Sequence, residues 1–277
     1  DKTVKQTEIS AFASLASELN LLKADLSSMA NSNKYVPISG NSNLEISVSD
    51  NSVATAFSSD ITINSLATQQ TLQFSGSSPY TSPTAAIGQG TLTLNLGTWD
   101  ASGSAFTNKS TPVTHTVTVD ANNNTLQGLA SSINALTDIS ASVLQTSSGV
   151  YSLVVKSPMG EDNAIKITTD DANLFDFRAD PTISGTPSNA QKQAASDAEL
   201  IVDGITIKRT SNSISNIFSG YTLDLKGETD TLTPANFNVT SSLDVDSAFN
   251  NAQNLVDRLN LTRNYFDELM DRGVEDG

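Results

Sequence analysis

The chain has 277 residues, 37% of them hydrophobic and 16% charged, with a net charge of −15, no cysteine and a single histidine. These figures exclude disulfides, thiol chemistry and the usual Cys/His zinc sites, and an acidic chain lacks the basic footprint needed for nucleic acid or an anionic membrane surface. The charged fraction falls below the roughly 25% of ordinary globular domains; Ser, Thr, Asn and Gly make up the difference, a texture that suits exposed strands and loops outside a cell.

Taken in order, the chain opens on a helix. Phe12, Leu15, Leu19, Leu22, Leu26 and Met29 recur at alternating spacings of three and four, the narrow apolar seam of a coiled coil. Asn31-Ser32-Asn33 ends the pattern and Pro37 forbids its continuation. The closing segment mirrors it: Ala252, Leu255, Leu259, Thr262, Phe266 and Leu269 repeat the spacing, with Asp244 or Asp246 as N-cap and Gly273 as the residue after the helix. Neither helix hides its stripe alone, so an antiparallel pair bringing the two ends together is expected. Residues 1–7 lead straight into the first helix and residues 274–277 stop just after the second, so the chain reads as a fragment cut within helices at both ends. No run of about 18 apolar residues and no signal-peptide pattern is present.

Between the helices the pattern is β-rich. Strands are expected at Leu44–Val48, Val53–Phe57, Ile61–Asn64, Thr91–Leu96, Thr114–Val119, Ser140–Gln145, Tyr151–Lys156 and Ile165–Thr169. Four more are expected at Glu199–Val202, Ile205–Lys208, Thr222–Leu225 and Asn236–Val239, with Asp203-Gly204 as a tight hairpin turn. One helix interrupts them, carrying Leu126, Leu129, Ile133 and Leu136 and capped by Asn124 or Thr125. Gly/Ser/Pro-rich stretches at 76–83 and 181–196 read as linkers.

The expected fold is therefore α+β and multidomain: an antiparallel helical coiled-coil stem from both chain ends carrying two nested β-rich head domains. Its boundaries are a stem helix at 1–36, the first part of a discontinuous β head domain at 37–78, an inserted β-rich domain with one helix at 79–190, the second part of the discontinuous domain at 191–240, and a second stem helix at 241–277.

Several strings along this path resemble one family. Residues 61–72, with Asn64, Leu66 and Ala67, are similar to the V-x-Q-L-A-x-x-Q-x-L segment of flagellar hook-associated protein 2, the filament cap. Residues 125–135, with Ile133-Asn134, resemble the "IN" motif of flagellin and hook-associated proteins. The sharpest likeness starts at Asp197-Ala198-Glu199-Leu200, runs through Val202-Asp203-Gly204-Ile205 and Arg209, Ser211 and Asn212, and ends on Gly220-Tyr221-Thr222-Leu223. It follows the family's D-A-E-L-x-V-D-G-I…R-x-S-N…G-x-T-L order, and Val256 to Asn260 resembles the F-V-x-x-Y-N that comes after it, with substitutions.

The resemblance implies a non-enzymatic assembly subunit, extracellular at the flagellum tip. It would cap the distal end of the filament as a homo-oligomeric ring, promote insertion of flagellin and prevent leakage of unpolymerised flagellin. A second reading is a surface adhesin that binds host glycan or mucin through an exposed ring such as Trp99. The residues offer no catalytic, cofactor or metal constellation. His115 lies in an alternating strand with no nucleophile pattern, and Glu161-Asp162, Asp170-Asp171, Asp176 and Asp180 lack calcium-loop spacing.

Overall fold

The computed structural model describes residues 2–31, 34–180, 191–229 and 236–275. Helix α1 covers Lys2–Asn31, followed by β1 (Tyr35–Ser39), β2 (Leu44–Val48), β3 (Phe57–Ser65), β4 (Gln69–Phe74), β5 (Gly90–Trp99) and β6 (Phe106–Val119). Helix α2 (Leu126–Asn134) precedes β7 (Ser140–Ser147), β8 (Val150–Met159), a single 3-10 turn at Glu161–Asn163, β9 (Ala164–Thr168) and a second 3-10 turn at Ala172–Phe177. Then come β10 (Gln191–Gln193), β11 (Ala198–Val202), β12 (Ile205–Arg209), β13 (Ser213–Ile214), β14 (Tyr221–Leu225), β15 (Phe237–Leu243) and α3 (Val245–Glu275).

Two hydrophobic cores organise these strands. The first draws on both sides of the long insertion. Its five-stranded sheet, in the order β1-β15-β3-β11-β12, lies with a three-stranded β13-β14-β2 sheet around Ile61, Ile63, Leu200, Tyr221, Leu223 and Val239. Alternation explains it: Ile61 and Ile63 on β3, and Ala198, Leu200 and Val202 on β11, fall on one face at period two and are buried. Each such fully buried branched side chain contributes about 1.5–3 kcal/mol. Tyr221 is buried with its hydroxyl donating to the Thr55 carbonyl at 2.8 Å and sharing a 2.7 Å bond with Ser241.

The second core is continuous in sequence. Sheets β10-β4-β8-β7 and β6-β5-β9 pack with the apolar face of α2 around Phe74, Leu92, Leu94, Leu129, Ile133, Val155 and Phe177. Thr125 caps α2, its hydroxyl accepting from Gly128 N at 3.0 Å.

The boundaries differ from the expected ones. Residues 69–74, expected in the first β domain, form β4, and Leu72 and Phe74 belong to the second core. The Gly/Ser/Pro stretch at 76–83 is a loop of that second unit, docked where Tyr80 bridges Tyr151. Residues 191–193, expected in the first domain, pair with β4 as β10. The chain thus crosses between units near Thr68 and Ser196, which form an isolated antiparallel bridge. Val53–Phe57 is not a strand; residues 51–53 turn and only Phe57 enters β3. The strand expected at Asn236–Val239 begins at Phe237 and runs to Leu243, and α3 continues through Gly273. The linker expected at 181–196 lies outside the described residues up to 190.

Candidate functional site

The two long helices come from the two ends of the chain. Asp244 N donates to the Lys34 carbonyl at 3.0 Å, tying the foot of α3 to the exit of α1. Asp244 also caps α3, accepting from Ser247 N at 2.9 Å, and the Ser247 hydrogen bonds hold its carboxyl below the usual range. About four turns further along α3, Arg258 reaches back along α1, its Nε donating to Asp25 at 3.0 Å and its Nη1 to Glu18 at 3.2 Å. Because the contacts run outward along both helices from that shared foot, α1 and α3 are antiparallel. Asp25 first, then Glu18, strengthens the protonated form of Arg258.

The face where the helices meet is rotated from the apolar seam that the heptads suggest. Leu15, Glu18, Leu22, Asp25 and Met29 of α1 are half-buried, at spacings of three and four. Opposite them stand Asn251, Leu255 and Arg258, half-buried, and Thr262, buried and donating to the Arg258 carbonyl at 2.9 Å. Of the expected seam residues, Leu15, Leu22, Met29 and Leu255 are in this contact. Phe12 is 65% exposed, and Leu19, Leu26, Ala252, Leu259 and Phe266 are exposed as well; the Leu269 side chain lies outside the described residues. The physical reason is the ion-pair triad. Its three groups satisfy one another across the helix contact, and a two-helix pair covers only one side of each member, leaving the remaining apolar residues on the outer flanks. The pair Glu18 and Asp25, seven residues apart, was the sequence signal for this face, and hydrophobic spacing alone passed over it.

The motif residues act as fasteners inside the β units. Asn212 grips the Ala67 peptide from both sides: its Oδ1 accepts from Ala67 N at 2.7 Å and its Nδ2 donates to Ala67 O at 2.9 Å. Asn134 does the same to Ala141, at 2.8 and 2.7 Å, while its neighbour Ile133 is buried in the second core. Asp197 Oδ1 accepts from Glu161 N at 2.8 Å across the two units, and Asp203 Oδ1 accepts from Asp60 N at 2.9 Å. Asp203 and Gly204 both have positive φ, as the β11–β12 hairpin turn requires. Asn64 donates to Glu199 at 2.9 Å; Ala198 is buried and Leu66 packs on the first core. Gly220 sits at φ +82, and a Cβ there would lie 2.5 Å from the Asp50 carbonyl oxygen and 2.7 Å from Ala54 N. The structure therefore gathers Ala67, Asp197 and Asn212 at the crossing between units, and sets Ile133-Asn134, Asp203-Gly204 and Gly220 apart from it.

Residues 195–275 match the family described as flagellar hook-associated protein 2 C-terminus. Over this C-terminal part the chain is similar to flagellar hook-associated protein 2. It is 27% identical over 165 residues to B-type flagellar hook-associated protein 2 of Pseudomonas aeruginosa, covering 55% of this chain and 34% of that relative. It is 31% identical over 111 residues to flagellar hook-associated protein 2 of Salmonella typhimurium, covering 39% of this chain and 24% of that one. The matches thus span a quarter to a third of the length of these relatives. Among solved structures, the D1-D2-D3 domains of the flagellar cap protein FliD from Escherichia coli superpose with a TM-score of 0.73 at 26% identity, covering 94% of this chain and 70% of that one. The D2-D3 domains of the cap protein FliD from Serratia marcescens superpose with a TM-score of 0.57 at 28% identity, covering 70% and 98%.

Most of the remaining candidates are engaged in packing and pairing. Trp99, half-buried, lies against Phe106 at 4.8 Å with the Lys166 ammonium 5.6 Å from its ring. Lys166 pairs with buried Asp180 at 3.1 Å. Asp176 accepts from the Ser77 amide and hydroxyl, Asp171 accepts from Thr91 N at 2.7 Å, and Asp162 lies 3.6 Å from Lys109. His115 stands opposite Leu94 on β6 with its Nε2 buried and unbonded.

Proposed function

We propose that this chain is the stem-and-head portion of a structural subunit at the distal end of a bacterial flagellar filament, outside the cell, working with further copies of itself as a ring and with flagellin. The observation that carries this reading is the stem. Two antiparallel helices tied by Arg258 carry an outer apolar stripe of Phe12, Leu19 and Leu26 on α1, and another of Val256, Leu259 and Phe266 on α3. Exposed residues at heptad spacing are suited to a helical neighbour, and flagellin or an adjacent subunit supplies one. In this reading the coiled coil is completed between molecules, and the β units form a plate under which flagellin is held and inserted. The work is steric confinement, with no chemical step. The family match over residues 195–275 and the likeness to the cap protein of E. coli support it.

The test is complementation of a cap-deficient strain with the complete protein that contains this chain. The parent should restore filaments and stop the release of unpolymerised flagellin. Phe12→Ser with Leu19→Ser and Leu26→Ser should leave the β units folded and restore the leak. Release unchanged by the parent sinks the cap reading; full function in the triple variant sinks the role of the stripe. No observation favours the glycan-binding alternative, since Trp99 is packed against Phe106.

A further inference from the structure

Among the described residues two strands of chain cross between the β units, and a two-strand crossing would bend freely. Thr68 and Ser196 join the crossings by backbone bonds of 2.9 and 3.2 Å, and the Thr68 hydroxyl bonds the Ala194 carbonyl at 2.8 Å. Against this crossing rests a turn of the second unit, residues 159–163. Gly160 N donates to Thr68 O at 3.2 Å, Glu161 N donates to Asp197 Oδ1 at 2.8 Å, and Asn212 Nδ2 lies 3.6 Å from Met159 Sδ.

The same turn is held rigidly from its own side. Asn163 N donates to the Gly160 carbonyl at 3.0 Å, Asn163 Nδ2 donates to the Met159 carbonyl, and Lys109 Nζ donates to Asn163 Oδ1 at 2.6 Å. Gly160 has φ +106, and a Cβ on it would stand 2.7 Å from Thr210 Cβ of the first unit. Backbone thus meets side chain at a distance that admits no methyl group.

From these contacts we infer that the turn at 159–163 is a wedge fixing the angle between the two β units, with Gly160 setting its depth and Asp197 anchoring it. Asp197 and Asn212 are then positioning residues for the whole second unit. This holds whether or not the chain caps a filament. The lever is long. β8 leads away from the wedge over 10 residues, roughly 30 Å, so a rotation of about 10° at the joint moves its far end by about 5 Å.

The chain has no cysteine, so spin labels on Ser147→Cys and Thr206→Cys report one distance between the units. The parent should give a narrow distribution. Gly160→Ala should shift it by several ångströms, and Gly160→Ala with Thr210→Gly should return it to the parent value, which backbone strain at position 160 alone would not allow. Asp197→Ala should broaden it and speed amide exchange at Glu161 by about tenfold, the loss of one hydrogen bond, with α2 amides unchanged. Should Gly160→Ala fail to fold, the Asp197→Ala pair of readouts decides by itself. Parent-like distances in the single variants, or no recovery in the double, overturn the wedge.

Discussion

Asn212 offers the most discriminating test of how the motif residues work. Its amide makes two hydrogen bonds to the Ala67 peptide, at 2.7 and 2.9 Å, where the chain leaves the first core. At about 1 kcal/mol per net hydrogen bond, Asn212→Ala should cost the first unit about 2 kcal/mol, lowering its thermal transition by roughly 8–16 °C. Asn212→Asp keeps the acceptor for Ala67 N but turns a second oxygen toward the Ala67 carbonyl. It should cost at least as much at neutral pH, although it changes one atom. The introduced carboxyl is then easier to protonate in the folded chain than in the unfolded one, where its pKa is about 3.9. A raised folded pKa gives stability that is present at acid pH and lost as pH rises through it, so the deficit of Asn212→Asp relative to the parent should shrink toward about pH 3. Scanning calorimetry of the three proteins at both pH values measures this. An aspartate variant as stable as the parent at neutral pH, or a deficit that grows on acidification, refutes the two-sided grip.

Other expectations follow from the stem and the loops. Arg258→Ala leaves Glu18 and Asp25, two turns apart on one face of α1, without their cation; amide exchange around Leu22 and Leu255 should accelerate, while the β units keep their protection. Changing Glu18, Asp25 and Arg258 together to leucine should restore slow exchange. Burial, then Asp176, pushes the Tyr80 phenol up to about 12 from an ordinary value of 10.0. Its contribution to stability is full below pH 10 and is lost as pH rises through about 12; ultraviolet titration of the parent against Tyr80→Phe should show one tyrosine ionising late.

The elements themselves were legible in the residues. Heptad spacing marked both long helices, period-two alternation marked β2, β3, β5, β11 and β14, Asn124-Thr125 announced a cap that the structure assigns to Thr125, and Asp203-Gly204 announced a turn. These are local effects, set by which side chains repeat along a few turns of backbone. The tertiary structure alone decided which face of each helix meets the other, that β4 and β10 belong to the second core, and that Gly160 presses against Thr210. Periodicity reports which side of an element is apolar and says nothing about what covers it. The choice of Glu18 and Asp25 over Leu19 and Leu26 for the inner face rests on Arg258, more than 230 residues away along the chain, and such a pairing exists only once the ends are brought together.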